Sequence, residues 1–395
     1  MGMFIIDEFQ FLDPTSGKDL GNRGLEDQIG GGGCYFAIGA RVFLPPSSIQ
    51  MVIDRGSDWR EQDQAVLDRF DRSSIEAGPS SMWHYRSRPG GTTRAVNIYK
   101  GEHRGFNYLS PKIRLEPKDL LQCSTADPKS LPEWIHFICS PERALESISQ
   151  IDDILAKDSC ARAFPKLVYE PIPDSCVFEN LQDCLKVLPR LAVFSPNHEE
   201  AADLLGLGEE WQRALQQALS DTDCTTDLIV RFITNKLASG FTKNLQRPEE
   251  GEGKEHGPFG PIICIRSGAW GSVVGQAGLG FRHVPAWHTS PESSEQGRSA
   301  EGKAAPDTSS SRIKDVTGAG NSFLGGFSAH LVQTQGDDER EPMDRLVEAA
   351  RHGAVSASLV IEQLGLPSFD VKDGQELWNG HTAAERLDLL RARLS

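Results

Sequence analysis

The chain of 395 residues has no C-x-x-C pair and no paired histidines at metal-ligand spacing. Its eight cysteines (Cys34, Cys123, Cys139, Cys160, Cys176, Cys184, Cys224 and Cys264) are scattered, several inside apolar strings such as IHFIC and PIICI. That usage reads as reduced core thiols in a cytoplasmic protein. No apolar run approaches the roughly 20 residues that span a bilayer, so no membrane partner is expected. Positive charge is short as well: 41 Lys and Arg face 56 Asp and Glu, a formal net charge of −15. A nucleic-acid or anionic-membrane surface would be repelled overall. A local anion site survives that argument, because backbone N–H groups bind anions without net positive charge. No G-x-G-x-x-G follows the first apolar segment, and no G-K-[ST] exists, since Gly17-Lys18 is followed by Asp19. Protein-kinase signatures are missing too. The opening MGMFIIDEFQ meets Asp7 and Glu8 too soon for a signal peptide, and Ile6 stands where myristoylation at Gly2 expects Ser or Thr. An initial buried strand is expected there instead.

What is present is a recurring alternation of short apolar runs with helical segments. Strands are expected at 3–6, 135–139, 167–169, 191–194 and 262–265, and helices at 34–42, 141–156, 198–205 and 222–238. The strands are apolar almost throughout, as for parallel strands covered on both faces, which predicts an α/β fold with a doubly wound sheet. Residues 94–100 (RAVNIYK) and 104–109 (RGFNYL) instead alternate polar and apolar and predict an antiparallel hairpin. That hairpin, within about 85–115, reads either as a small lid or as an ordinary edge hairpin, and its exposed face offers a surface for a homodimer. Trp83, His84, Tyr85 and Arg86 precede it, and Arg86 and Arg94 are candidates for ligand contact there. Two stretches rich in Gly, Ser, Pro and charge, 242–261 and 285–312, read as disordered insertions within a single domain spanning 1–395.

The most informative run is RIKDVTGAGNSFLGGFSAHL, from Arg312 to Leu331. Asp315, Val316 and Thr317 lead into Gly318-Ala319-Gly320, and a helical pattern starts at Asn321. Small residues let the backbone approach an anion, with successive N–H groups and the helix dipole facing it. The run Ser195-Pro196-Asn197-His198-Glu199-Glu200 places an amide and a carboxylate at a strand end; Asn197 and Glu200 read equally as a capping box.

DVTGAGNSFLGG resembles the second signature of the ribokinase-like (PfkB) carbohydrate kinases, usually D-T-x-G-A-G-D. The resemblance implies a three-layer α/β/α sandwich with a mostly parallel central sheet and a small β lid. It also implies ATP and Mg²⁺ as cofactors and a sugar-like or nucleoside-like alcohol as substrate. Gly318, Ala319 and Gly320 match the family's anion hole, and Asn321 takes the position of its catalytic base. Asn197 and Glu200 match P-N-x-x-E, whose residues organise Mg²⁺ through water. Gly30, Gly31 and Asp7 match sugar-binding positions, with Tyr35 where the family has Asn. Arg266, Gly268, Gly271 and Thr317 fall in the matched nucleotide-binding stretches, and the helix at 349–364 resembles the one bordering adenine. The phrases EPIPDSC and SPNHEEA look closest to the fungal maintenance-of-killer-type branch. A neutral amide at position 321 is not a useful base near neutral pH, and losing a positioned base slows transfer by about 10²- to 10⁴-fold. Two functions follow: a weak kinase, its proton leaving through water, Asp7 or Asp315, or a pseudokinase that binds its ligands without turnover.

Overall fold

The computed structural model describes residues 1–75, 81–100, 103–121, 130–157, 162–220, 225–245, 260–288, 310–337 and 339–393. In chain order the first half runs β1 (Ile5–Leu12), β2 (Gln28–Gly30), α1 (Gly32–Arg41), β3 (Met51–Arg55), α2 (Glu61–Leu67), β4 (Trp83–Ser87), β5 (Arg94–Lys100), β6 (His103–Tyr108), α3 (Pro117–Leu120), β7 (Trp134–Cys139), α4 (Pro141–Lys157) and β8 (Lys166–Pro171). There follow α5 (Leu181–Val187), β9 (Val193–Phe194), α6 (His198–Leu204), α7 (Gly208–Ser220), α8 (Thr225–Phe232), a π-helical turn (Ile233–Ala238), α9 (Ser239–Asn244) and β10 (Ile262–Arg266). The chain ends with β11 (Ser272–Gln276), β12 (Gly280–Val284), α10 (Ala319–Gln333), α11 (Pro342–Ile361), β13 (Phe369–Lys372), β14 (Gln375–Trp378) and α12 (Ala383–Ala392).

Among the described residues the larger sheet has the order β12-β11-β10-β9-β8-β7, parallel from β7 to β10 and antiparallel beyond. Strands β7 to β11 bury both faces, which is why their sequences are largely apolar without alternation. Ile135, Phe137, Leu167, Tyr169, Ile263 and Ile265 pack with α4 to α8 on one side. Val168, Val193, Ile262 and Cys264 pack with α10, α11 and α12 on the other. The result is the expected three-layer arrangement. The five described cysteines, Cys34, Cys139, Cys176, Cys184 and Cys264, are unpaired thiols, and no described helix is long and apolar enough to cross a membrane.

The smaller sheet has the order β2-β1-β5-β6. The first strand therefore differs from its expected place. It pairs in parallel with β5 and antiparallel with β2, and Asp7 lies inside it, where a strand end was expected. The apolar MFII resembled a buried sheet strand, but the alternation that continues through Glu8-Phe9-Gln10-Phe11 carries the strand out onto the lid. The expected hairpin is present as β5 and β6, while β4 pairs in parallel with β3 in a separate two-stranded sheet. The 191–194 strand shortens to Val193–Phe194, and the expected 222–238 helix breaks into α8 and the π-helical turn.

The polar insertions expected at 242–261 and 285–312 lie mainly outside the described residues. Their expected edges reached too far. Residues 242–244 complete α9. Trp287 and His288 are buried, with the Arg386 guanidinium 5.3 Å from the indole centre and Arg393 donating to the Trp287 carbonyl at 2.8 Å. Composition alone runs to the nearest Pro and Ser cluster and overlooks an aromatic anchor beside it.

Helices α1 and α10 approach until backbones touch. A Cβ at Gly39 would lie 2.1 Å from the Ser322 carbonyl oxygen, and one at Gly325 the same distance from that of Phe36. Gly39→Ala is therefore expected to lower the unfolding free energy by about 1–3 kcal/mol, the cost of overpacking, seen as a lower urea midpoint with an unchanged slope. On the far side of α10, His330 packs 4.3 Å from the ring of His352, and its buried Nε2 makes no hydrogen bond among the described residues. Burial, reinforced by His352, lowers the His330 pKa to about 4. Unfolding releases the ring to an ordinary value near 6.5, so the unfolded chain binds the proton first. Stability is full above about pH 6.5 and falls as the pH drops towards 4. Melting temperatures measured from pH 7 to pH 4.5 should fall less steeply in His330→Leu than in the wild type.

Candidate active site

The helix start builds the site. Asp315 Oδ1 accepts the Thr317 N–H at 3.1 Å and its hydroxyl at 2.8 Å, closing a turn ahead of the glycines. Asp315 is thus occupied in shaping the chain. Gly318, with φ of 77°, caps α10 in the left-handed region. A Cβ there would fall 2.3 Å from the Tyr35 ring, so conformation and close approach both require glycine. The Ala319 N–H is turned back onto the Val316 carbonyl at 3.2 Å, and Ser322 N–H onto Gly318 at 2.9 Å. Between them, the Gly320 and Asn321 N–H groups donate to nothing among the described residues. Two open amides thus stand at the positive end of a helix of 15 residues, the kind of place that suits an anion.

The side chains around that place are closed on one another. Asn321 Nδ2 donates to Glu170 Oε2 at 2.9 Å. The other Glu170 oxygen pairs with Arg266 Nη1 at 2.7 Å, and His136 Nε2 lies 3.3 Å from Oε2. Arg266 Nη2 donates to the Ser195 carbonyl at 2.9 Å and sits 3.6 Å from Glu200 Oε2. A Cβ at Gly320 would fall 2.0 Å from Arg266 Nη1, so the guanidinium lies directly on the glycine turn. These residues gather at the carboxyl ends of β8, β9 and β10, where open α/β sheets hold their ligands.

The charges follow from the distances. Burial pushes the Glu170 carboxyl up, but Arg266 with the His136 and Asn321 contacts outweighs it and holds the group below its ordinary value. Burial lowers the His136 pKa to about 4, against the pull of Glu170, so the ring is neutral at pH 7. Glu200, farther from Arg266, has its pKa raised by burial to about 7. Sequence reasoning assigned Arg266 to the nucleotide side and missed Glu170 and His136. The available signal was a carboxylate closing the apolar run LVYE at a strand end.

Asn197 and Glu200 form a reciprocal capping box at α6: Glu200 N–H donates to Asn197 Oδ1 at 2.8 Å, and Asn197 N–H to Glu200 Oε2 at 2.7 Å. Magnesium needs about six oxygens at close to 2.1 Å. Here the amide and carboxylate face each other and Arg266, and no described group of three or more His, Cys, Asp or Glu is placed to hold a metal. Those contacts engage only Glu200 Oε2 and leave Oε1 out, which suits the water-mediated role that the resemblance implies for Asn197 and Glu200 and offers no cage for a directly bound Mg²⁺.

The N-terminal glycines do reach the same place. Gly31 caps α1 with φ of 93°. A Cβ at Gly32 would fall 3.1 Å from Asn321 Nδ2, and one at Gly30 1.9 Å from Asp7 Oδ2. Asp7 is buried against that glycine, so Asp7, Gly30, Gly31, Tyr35 and the α10 turn are linked by one chain of close contacts. Gly268 and Gly271, both at positive φ, shape the turn that follows Arg266 at the end of β10.

Arg86 and Arg94 are already engaged. Arg86 pairs with Asp54 at 2.9 Å and Asp119 at 2.7 Å. Arg94 pairs with Asp27 at 2.8 Å, Glu8 at 3.0 Å and Asp58 at 3.2 Å. Glu8 alternates with Asp7 along β1, so Arg94 reaches the opposite face of the sheet. Trp83 is buried with its indole N–H on the Leu67 carbonyl at 2.9 Å. A cavity of about 660 Å³ is bordered by Gln28, Arg60 and Leu366, and one of about 430 Å³ by Phe36, Ala329 and His136, the partner of Glu170.

Comparison with solved structures defines the class. The chain superposes on ribokinase from Giardia lamblia with a TM-score of 0.58 at 18% identity, covering 98% of this chain and 97% of that one. Nucleoside kinase from Methanocaldococcus jannaschii gives 0.54 at 14% identity, covering 99% and 96%. Arabidopsis thaliana ribokinase, solved with ribose and ATP, gives 0.54 at 14%, covering 99% and 97%. The fold is that of the ribokinase-like kinases. In sequence the chain is similar to Protein MAK32 of Saccharomyces cerevisiae, 27% identical over 401 residues that cover 98% of this chain and 89% of that protein. It is likewise similar to an uncharacterized protein of Schizosaccharomyces pombe, 29% identical over 392 residues covering 98% and 90%. The ribokinase-like resemblance seen in the motifs thus extends, in its fungal form, along almost the whole chain. No protein-family model matches it.

Proposed function

We propose that this chain binds the phosphates of a nucleotide such as ATP on the first turn of α10 and a sugar-like or nucleoside-like alcohol beside Asp7 and Gly30. We propose further that it transfers phosphate slowly, for want of a base. One observation carries the reading: open amides at Gly320 and Asn321 stand beside an Asn321 side chain held 2.9 Å from Glu170. The amide is a donor in that bond and accepts no proton from an alcohol. Glu170 receives Arg266, Asn321 and His136 and has no oxygen to spare. What remains is positioning and charge stabilisation, which supply most of phosphoryl-transfer catalysis. The closed Glu170–Arg266 pair also favours a second reading, a pseudokinase that binds without turnover.

ATP turnover over a panel of sugars and nucleosides separates them, ribose and the nucleosides first, since they are the ligand classes of the structural neighbours. The comparison is wild type against Asn321→Asp combined with Glu170→Gln, which exchanges amide and carboxylate across the same hydrogen bond. The wild type is expected to be slower by about 10²- to 10⁴-fold. A wild type as fast as the exchanged protein would remove position 321 from the chemistry. Nucleotide binding without turnover in either would leave the pseudokinase.

A further inference from the structure

We infer that Phe106 and Tyr108 of the lid select the alcohol, so that the site takes one carrying a flat aromatic ring, as a nucleoside does, in preference to a plain sugar. The inference deepens the alcohol reading above and rests on it. Its basis is how the lid distributes its aromatic residues. Across β1, β5 and β6, Asp7 stands opposite Ala95 and Ala95 opposite Tyr108, while Phe9 stands opposite Asn97 and Asn97 opposite Phe106. Phe11 stands opposite Tyr99. Residues opposite one another share a face, and so do alternate residues along a strand. All five aromatic residues of these three strands therefore lie on the face that carries Asp7. The other face carries Glu8, Val96 and Asn107.

Three of the five are used within the lid: Tyr99 stacks with Phe9 at 6.4 Å and with Phe11 at 5.1 Å. Phe106 and Tyr108 meet edge to face, at 5.1 Å and 89°, so they do not stack on each other. Phe106 is 43% exposed, and Lys112 covers one side of the Tyr108 ring at 4.1 Å. Tyr108 stands two strands from Asp7, about 10 Å between backbones, and Ala95 between them has no side chain beyond Cβ. The phenol is within electrostatic reach of the site: burial first, then Asp7 and Asp174, raise its pKa against the pull of Arg114. Asp174 follows β8, the strand that carries Glu170. Open aromatic rings in the row of a buried carboxylate suit a ligand that is flat and apolar at one end and hydroxylated at the other. The hydroxyls of such a ligand lie beside Asp7 while its ring lies against Phe106 and Tyr108. A plain sugar leaves those rings facing water.

The test is calorimetric affinity of the full chain for ribose and for adenosine, guanosine, uridine and cytidine, in the wild type, Phe106→Ala and Tyr108→Leu, with sedimentation run on all three. The wild type is expected to bind at least one nucleoside more than about tenfold tighter than ribose, and each variant to lower that ratio by about five- to hundredfold, the effect of removing a ring on which a base stacks. Ribose bound as tightly as every nucleoside would overturn the inference and leave the alcohol reading standing. A ratio unchanged in both variants would overturn it as well, since the preference would then arise elsewhere, the nucleotide seat included. So would a ratio that falls only together with a change of oligomeric state, which would make this face a contact between copies. Binding of none of the five compounds would overturn this inference and the alcohol reading together.

Discussion

Arg266→Met is expected to lower the unfolding free energy by about 3–5 kcal/mol, the usual result of removing one partner from a buried ion pair. The side chain is 11% exposed and its partner Glu170 7%, so water screens the pair little. Methionine fills the aliphatic volume but leaves Glu170 with only Asn321 and His136, and Glu200 without its nearby cation. A carboxylate buried without a cation is far more costly than the pair was favourable. Guanidinium melts at pH 7 measure the loss directly. Adding Glu170→Gln to Arg266→Met should recover much of it, because the remaining buried group is then neutral. Equal stability of Arg266→Met and the wild type would mean that the network contributes nothing.

Asn321→Asp alone is the second large effect, and it is expected to destabilise the protein. The new carboxylate would stand where Nδ2 now donates at 2.9 Å to Glu170. Two carboxylates at that distance cannot both ionise freely, and they share a proton. At low pH the protonated acid replaces the amide as donor and the bond survives. The pair's upper pKa is raised relative to the unfolded chain, so the stability it supports is present below the ordinary carboxylate range and is lost as pH rises through the raised value. Forcing both carboxylates to ionise side by side is expected to cost about 3–5 kcal/mol at pH 8, the usual loss when a buried charge is left uncompensated. Asn321→Asp should therefore match the wild type near pH 4.5 and fall well below it by pH 8, while adding Glu170→Gln should abolish that fall with pH. A variant as stable as the wild type at pH 8 would mean that the two positions do not share a bond.

These two residues also mark where sequence reading succeeds and where it stops. β7, β8 and β10 were legible because strands buried on both faces are apolar without a break, and the turn at Gly318 because only glycine tolerates its φ. Asn321 was legible as a departure from a pattern. Its meaning was not, since the compensating Glu170 lies on another strand and looks like a stray charge after an apolar run. Arg266 could be assigned to the phosphate side, but not to its place between two glutamates, which only folding brings together. The first strand was misplaced because four apolar residues fit either sheet, and the parallel partner that decides, β5, is remote in sequence. Arg86 and Arg94 looked available because the acids that neutralise them come from four separate segments.

The backbone contact between α1 and α10 links the two ends of the proposed ligand site. α1 begins beside the glycines that face Asp7, α10 begins at the Gly318–Gly320 turn, and between them Gly39 and Gly325 lie so close to the facing carbonyls that no Cβ fits. The two helices are thereby packed in one register along their glycine faces. If the proposed ligands bind there, any coupling between an alcohol against Gly30 and a nucleotide at the α10 turn would be reciprocal, each changing the other's affinity by the same factor.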